Sequence, residues 1–471
     1  MSALGRRRQW AVAFLVVGAV LALTSDWLLA DAQRSALAAT VVAIASVTVI
    51  ARSGPRGAVT LGSVYAALFA LFHCGLLASV GLGVSPALLN ASDARWLFSG
   101  ALPFAALVVA LGQCAFTTAY LLTSGRTEDG PVGRAVPTEP AGPTEEVGPS
   151  EDVLAGDGAG IAGNLLLLAG IVLWTFFTLS SGVSVLTSTY VAFLSATSGA
   201  PMPYAYLLIG LGFAATSASR RPRSRALALA VFGVWAVPAL ALGLRGEVII
   251  PAAAYLVVLA RRREVRLTVR TALIALAVLA VGSLVRIVRQ FGVATALDLD
   301  TLGSAGPLSA LTELGYSIRP LIVVRTFELG GEPFVGAGTY LAPVRRVVAD
   351  VLGLPSTPAG EDPVVFSTMI AERAGPIGGS VAAEAYRSGG TLTVVVVLAV
   401  LGVLVARLDS APRGPYRDAA VGMIAYSLLL WVRNDVTPVP LQLGCALVVL
   451  GMMWLLSQRV PVHAAPRRAG P

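Results

Sequence analysis

Residues 378–406 read GGSVAAEAYRSGGTLTVVVVLAVLGVLVA. The stretch joins two kinds of sequence. Its first half is polar, opening on a glycine pair and Ser380 and carrying Glu384, Tyr386 and Arg387. Its second half, from Thr391, is an apolar run. Ser380 is placed to cap a helix with Glu384 one turn in, because a serine oxygen can satisfy an amide that has no partner within the helix. That helix runs on into a segment of membrane-span type. The reading is an all-α, polytopic membrane protein, with this polar half at the outer membrane surface.

The rest of the chain extends the pattern. Its 471 residues are 56% hydrophobic and only 13% charged, where soluble domains run at about a quarter charged. Mean hydropathy is +0.78. A soluble fold has nowhere to hide that much apolar surface, and the ~10-residue alternating segments of an outer-membrane barrel are absent. About twelve spans fit, at 10–29, 36–51, 59–80, 96–122, 161–179, 202–216, 226–244, 248–260, 271–287, 391–406, 419–431 and 440–456. The chain then divides into 1–122 (four spans), 123–160 (a Gly-, Pro- and acid-rich linker, expected to be disordered), 161–289 (five spans), 290–390 (a large extracytoplasmic helical loop) and 391–471 (three spans and a tail). The run 10–29 follows Arg6, Arg7 and Arg8 and is read as a retained helix rather than a cleaved signal.

All 34 basic residues are Arg, scattered between spans, so nucleic acid is not an expected partner. Cys74, Cys114 and Cys445 fall in apolar runs, and the only His residues are His73 and His463. No outer disulfide framework and no His/Cys metal site is expected, and no cofactor. Arg clusters in the short connectors on one side. That places both termini in the cytoplasm and the protein in the cytoplasmic (inner) membrane.

Four Arg break the trend. Arg245, Arg286, Arg289 and Arg433 all fall near outer ends of spans, where an ionisable group is costly unless it faces a protein interior or cavity. Together they point to a shared anionic site. Arg suits phosphate, since its planar fork binds two oxygens at once, and a pyrophosphate is the natural ligand.

The loop has helices expected at 316–329, 339–352 and 364–373. The first bears Arg319 and Arg325. In the second, Leu341, Val344, Val348 and Leu352 recur at three- and four-residue steps and define a face expected to be buried, opposite Arg345, Arg346 and Asp350. A connector of this length with its own helices is of functional type.

At these residues the chain resembles the Wzy-type O-antigen and exopolysaccharide polymerases. The pattern is Gly315, Tyr316 and Ser317 before Pro320; Gly336, Gly338, Tyr340 and Leu341; then Gly379, Ser380, Ala383, Glu384, Ala385 and Tyr386 before a glycine pair and a span. Arg433 with Asn434, and Arg245 with Gly246, resemble the family's outer turns. The resemblance covers about 240–434 and departs at Ser388 and Gly389, where the family has Asn-Phe-Gly.

The resemblance implies an inverting, metal-independent glycosyl transfer on the outer face, from a glycan on undecaprenyl pyrophosphate to a lipid-linked repeat unit. Its partners are that lipid-linked oligosaccharide, membrane lipid and a chain-length regulator. Glu384 is then the candidate catalytic base. Arg245, Arg286, Arg289 and Arg433, with Arg325 from the loop, are the pyrophosphate ligands, and Tyr340 and Tyr386 the glycan contacts. Two alternatives stay open: a lipid-linked oligosaccharide flippase or transporter, and an O-antigen ligase-like transferase.

Overall fold

An apolar run in a bilayer has one stable open-chain form, since only a helix satisfies its own backbone groups. The computed structural model describes residues 3–55, 57–84, 96–97, 99–124, 151–184, 188–198, 200–262, 307–375 and 377–459, and these are helical with no strand among them. Seven of the described helices are long and apolar enough to cross a membrane. They are Ala32–Ser53, Leu61–Gly81, Leu102–Ser124, Gly158–Ser180, Pro222–Ala241, Val381–Ser410 and Val439–Leu456. Met202–Ser217 is a shorter apolar helix. Ala3–Leu23, Arg245–Arg262 and Pro415–Trp431 pack among these and are shorter or carry Arg at their ends. The expected span at 271–287, with Arg286 and Arg289, lies outside the described residues, as does most of the expected linker. The helix Glu151–Ser180 begins inside that linker.

Small residues let the helices touch. Leu102–Ser124 and Val381–Ser410 run parallel, Gly112 meeting Leu398 and Gly402 meeting the Phe116 carbonyl. Apolar side chains are also turned outward, among them Val172, Phe176, Val234, Val237, Val396, Val400 and Val448. Such a surface suits acyl chains and not water.

Contacts sort the helix ends into two groups. At one end Arg7 donates to the Ser124 carbonyl (3.3 Å). There too Asp409 accepts from Leu61 N (2.8 Å), Gly62 N (2.9 Å) and the Tyr120 hydroxyl (2.9 Å). Arg261 binds Asp418 and the carbonyls of Leu408 and Ala411, and Arg262 binds Asp418 and the Ser219 carbonyl. These belong to the connectors read above as the Arg-rich side. At the other end Gln33 meets Gly81, Ser79 meets Thr312, and Arg245 meets Glu313.

The segment expected to be a large outer loop is anchored within the bundle. Pro307–Leu314 and the 3-10 turn Gly315–Ile318 pack along Leu61–Gly81. A β-carbon on Gly315 would collide with the Leu76 amide, and one on Gly75 with the Leu311 carbonyl, so the two backbones touch there. Arg319–Leu329, Gly338–Leu352 and Phe366–Ala374 follow, close to the expected ranges. The expected burial of Leu341, Val344, Val348 and Leu352 is not met: all four are exposed. Periodicity shows which residues share a face, not whether protein covers it.

Candidate functional site

Ser380 caps the helix Val381–Ser410, its Oγ accepting from Ala383 N (3.1 Å). The helix breaks after two turns. Gly390 has φ +74°, a left-handed conformation, with the Phe334 ring 3.2 Å from where its β-carbon would lie. The break frees the carbonyls of Arg387 and Ser388, and loop amides take them, Val335 N at 3.1 Å and Gly336 N at 3.0 Å. The Arg387 guanidinium donates to the Pro333 carbonyl (2.8 Å) and to Glu332 (3.2 Å), and Glu332 also pairs with Arg373. The loop is thereby fixed to a short polar helix that ends where the apolar run begins.

Glu384 is 0% exposed. Its Oε2 accepts from the Trp431 indole (2.9 Å) and from Val436 N (2.9 Å), so the turn after Pro415–Trp431 wraps the carboxylate. Oε1 is buried with no hydrogen-bond partner among the described residues. Asp435 lies in the same turn and accepts from Ser367 N (2.9 Å) at the start of Phe366–Ala374. Gly379 makes this fit possible, since a β-carbon there would lie 2.8 Å from Asp435 N. Tyr340 packs edge-on to Trp431, ring centres 6.2 Å apart, and its buried hydroxyl has the Ser388 hydroxyl near it but no well-formed hydrogen bond among the described residues. Burial, reinforced by the Glu384 charge and opposed by the Ser388 hydroxyl, pushes that phenol up, so it stays a protonated donor.

The same turn carries Arg433. Its guanidinium lies 5.7 Å from the Phe72 ring centre, and its Nη1 would be 2.9 Å from a β-carbon on Gly246. Arg433 makes no ion pair among the described residues and is half-buried. Next to Gly246, Arg245 is buried and held by both oxygens of Glu313 from the Pro307–Leu314 helix. Its Nε remains buried without a partner among the described residues. Two of the four outward Arg are thus brought together; Arg286 and Arg289 lie outside the described residues.

Arg325 and Tyr386 form a neighbouring cluster. Arg325 and the Tyr386 hydroxyl both bind Glu328, Arg325 also meets the Tyr386 oxygen (3.1 Å), and its guanidinium lies over Phe104 at 4.2 Å. Partial burial pulls the Glu328 carboxyl up, but the bonds from Tyr386 and Arg325 outweigh it and hold it below the usual range. Glu313, Glu328, Trp431 and Asp435 were not singled out from sequence. An acid inside the apolar pattern of Leu308, Leu311, Leu314 and Ile318 is the signal that could have marked Glu313. Among the described residues no His, Cys, Asp or Glu cluster has the makings of a metal site.

The arrangement offers a buried carboxylate oxygen with open valence, a phenol donor and an unpaired guanidinium beside a second one. The Glu384 charge acts on the Tyr340 phenol, and Arg433 reaches Gly246 next to Arg245; open valences of this kind are where another molecule can supply the missing bonds. No curated protein and no solved structure matches the chain. The profile of O-antigen polysaccharide polymerase Wzy matches residues 159–458, a longer stretch than the motifs alone cover. With that match spanning most of its length, this integral membrane chain belongs to the O-antigen polysaccharide polymerase Wzy family.

Proposed function

We propose that the chain polymerises undecaprenyl-pyrophosphate-linked oligosaccharide repeat units on the outer face of the cytoplasmic membrane, with its Arg-rich end and both termini in the cytoplasm. The observation that carries this is the turn 431–436. It supplies the two donors that fix Glu384 and, between them, the unpaired Arg433 beside Gly246.

In this reading an acceptor sugar hydroxyl approaches Glu384 Oε1 and gives up its proton there. Its oxygen bonds to the anomeric carbon of the donor glycan. The bond from that carbon to the pyrophosphate oxygen breaks, and the electron pair leaves with the lipid pyrophosphate. Attack opposite the leaving group inverts the centre. Negative charge grows on the pyrophosphate as it departs, and a preorganised guanidinium stabilises it without rearranging; loss of one such donor costs about 10²–10³ in rate. Arg433 has open valence for this role. Arg245, its charge met by Glu313, contributes its Nε, which has no partner among the described residues, with Arg286 and Arg289 completing the set and Arg325 adding to it from the loop. Tyr340 presents its ring and hydroxyl to the sugars, while Tyr386, buried with its hydroxyl on Glu328, acts by holding Arg325 in place. The leaving group is a good one, so the scheme uses no metal.

The test is chain growth in membranes given the lipid-linked repeat unit, read as a gel ladder. Arg433→Ala is expected to slow growth by about 10²–10³ with membrane-inserted protein unchanged, and Arg433→Lys to recover part of it. A long-chain ladder from Arg433→Ala overturns the proposal.

A further inference from the structure

The helix Gly338–Leu352 is amphipathic with its apolar side turned away from the protein. On the protein side Thr339, Ala342 and Pro343 are buried, and Arg346 is held by Asp362 (3.2 Å) and the Thr357 carbonyl (3.0 Å). On the outer side Leu341, Val344, Val348, Val351 and Leu352 are exposed, Val351 at 80%. At 3.6 residues per turn the five fall in one stripe about 100° wide. Leu354 extends it past the helix end.

Two observations identify what covers the stripe. The helix packs against Val439–Arg459, which contains a candidate span whose Leu441, Leu443, Leu447 and Val448 are themselves exposed. The helix that bears the stripe therefore adjoins a span whose outward side chains suit acyl chains. At its edge stands Arg345, exposed and with no ion pair among the described residues, placed as a basic side chain is when its stem lies in lipid and its head reaches a phosphate.

We infer that Gly338–Leu352 lies along the headgroup boundary of the bilayer, its apolar stripe in the acyl layer and Arg345 at phosphate level. Its first turn is attached to the site, through Tyr340 on Trp431 and Thr339 on Ser388 (3.2 Å). The lipid surface thus fixes the depth of the Glu384 centre. The inference stands on surface chemistry and does not depend on the transfer reaction proposed above.

The test places single spin labels on the full chain in phosphatidylcholine–phosphatidylglycerol nanodiscs. Labels go at Leu341→Cys, Val344→Cys, Val348→Cys and Val351→Cys, with Asp350→Cys as the off-stripe control and Cys445→Ala as background; Cys74 and Cys114 are buried. All five labelled positions are exposed, so folding is not at stake. Collisions with oxygen and with a water-soluble nickel chelate are compared. The four stripe labels are expected to meet oxygen more than nickel, and the control the reverse. Stripe labels open to nickel put the stripe in water and overturn the inference. Labels immobilised and shielded from both put it under protein, a partner or a second copy, and overturn it equally.

Discussion

Glu384→Gln separates the two jobs proposed for one side chain, base and anchor. Oε2 accepts from Trp431 Nε1 and Val436 N, each at 2.9 Å, while Oε1 accepts from none of the described residues. Gln offers one carbonyl oxygen to the same two donors, so the turn 431–436 keeps its anchors. Its amide nitrogen takes the place of Oε1 and has no lone pair to accept a proton. General-base assistance is worth about 10²–10⁴ in rate, or about 3–5 kcal/mol at 1.36 per decade. Glu384→Ala removes more. It strands the indole and amide hydrogens in a buried site at about 1–3 kcal/mol each, a large share of the about 5–15 kcal/mol that holds a domain folded. Chain growth in membranes and thermal unfolding of the purified chain read the two effects separately. Gln is expected to lose activity and keep its Tm, and Ala to lose both. A Gln variant that polymerises at the wild-type rate refutes the base assignment, and one that unfolds as early as Ala refutes the hydrogen-bond geometry.

Gly315→Ala introduces a β-carbon against the Leu76 backbone, and overpacking of this kind costs about 1–3 kcal/mol. The variant should show a lower Tm and weaker protection from protease at the start of the loop; an unchanged Tm would mean the two backbones are not in contact. Glu332 gives the pH dependence. The Arg373 hydrogen bond, against a smaller pull from burial and helped by the Arg373 and Arg387 charges, holds its carboxyl below the usual range. A depressed carboxyl stabilises above its unfolded value, about 4.3, and that contribution is lost as pH falls through the lower folded value. Loop docking, read by hydrogen exchange at Val335 and Gly336, should therefore hold at neutral pH and loosen in acid. Glu332→Gln should be loose at both, and identical profiles for the two proteins would remove Glu332 from the clasp.

What sequence could reveal follows from what each signal measures. Apolar runs of helix length exposed the membrane class because lipid permits little else. Ser380 and Glu384 were legible because capping is local, settled within four residues. Arg245 and Arg433 were legible as exceptions to a charge rule, but the rule is blind to partners, so Glu313, 68 residues from Arg245, went unseen. Trp431 reads as one more apolar residue at a span end, and only the fold aims its N–H at a carboxylate 47 residues away. The stripe on Gly338–Leu352 shows the same limit in another form. Its spacing announces an apolar face, and a face covered by protein and one covered by lipid leave the same mark on a sequence.

The two ends of the bundle treat buried charge differently, and the contrast is the strongest physical argument for where the site lies. At the Arg-rich end Asp409 has three donors, and Arg261 and Arg262 share Asp418 and take carbonyls besides. Those charges are closed, as stability alone demands, since an unmet buried polar group costs about 1–3 kcal/mol and more when charged. At the other end, among the described residues, Glu384 keeps an open oxygen, Arg245 an open nitrogen and the half-buried Arg433 a guanidinium without an acid. Neighbouring Asp435 does not close them, because it is already used to start Phe366–Ala374. A fold that closes its charges at one end has the means to do so at the other. Valences left open there, around one turn and beneath one loop, are where the proposed lipid pyrophosphate would bind.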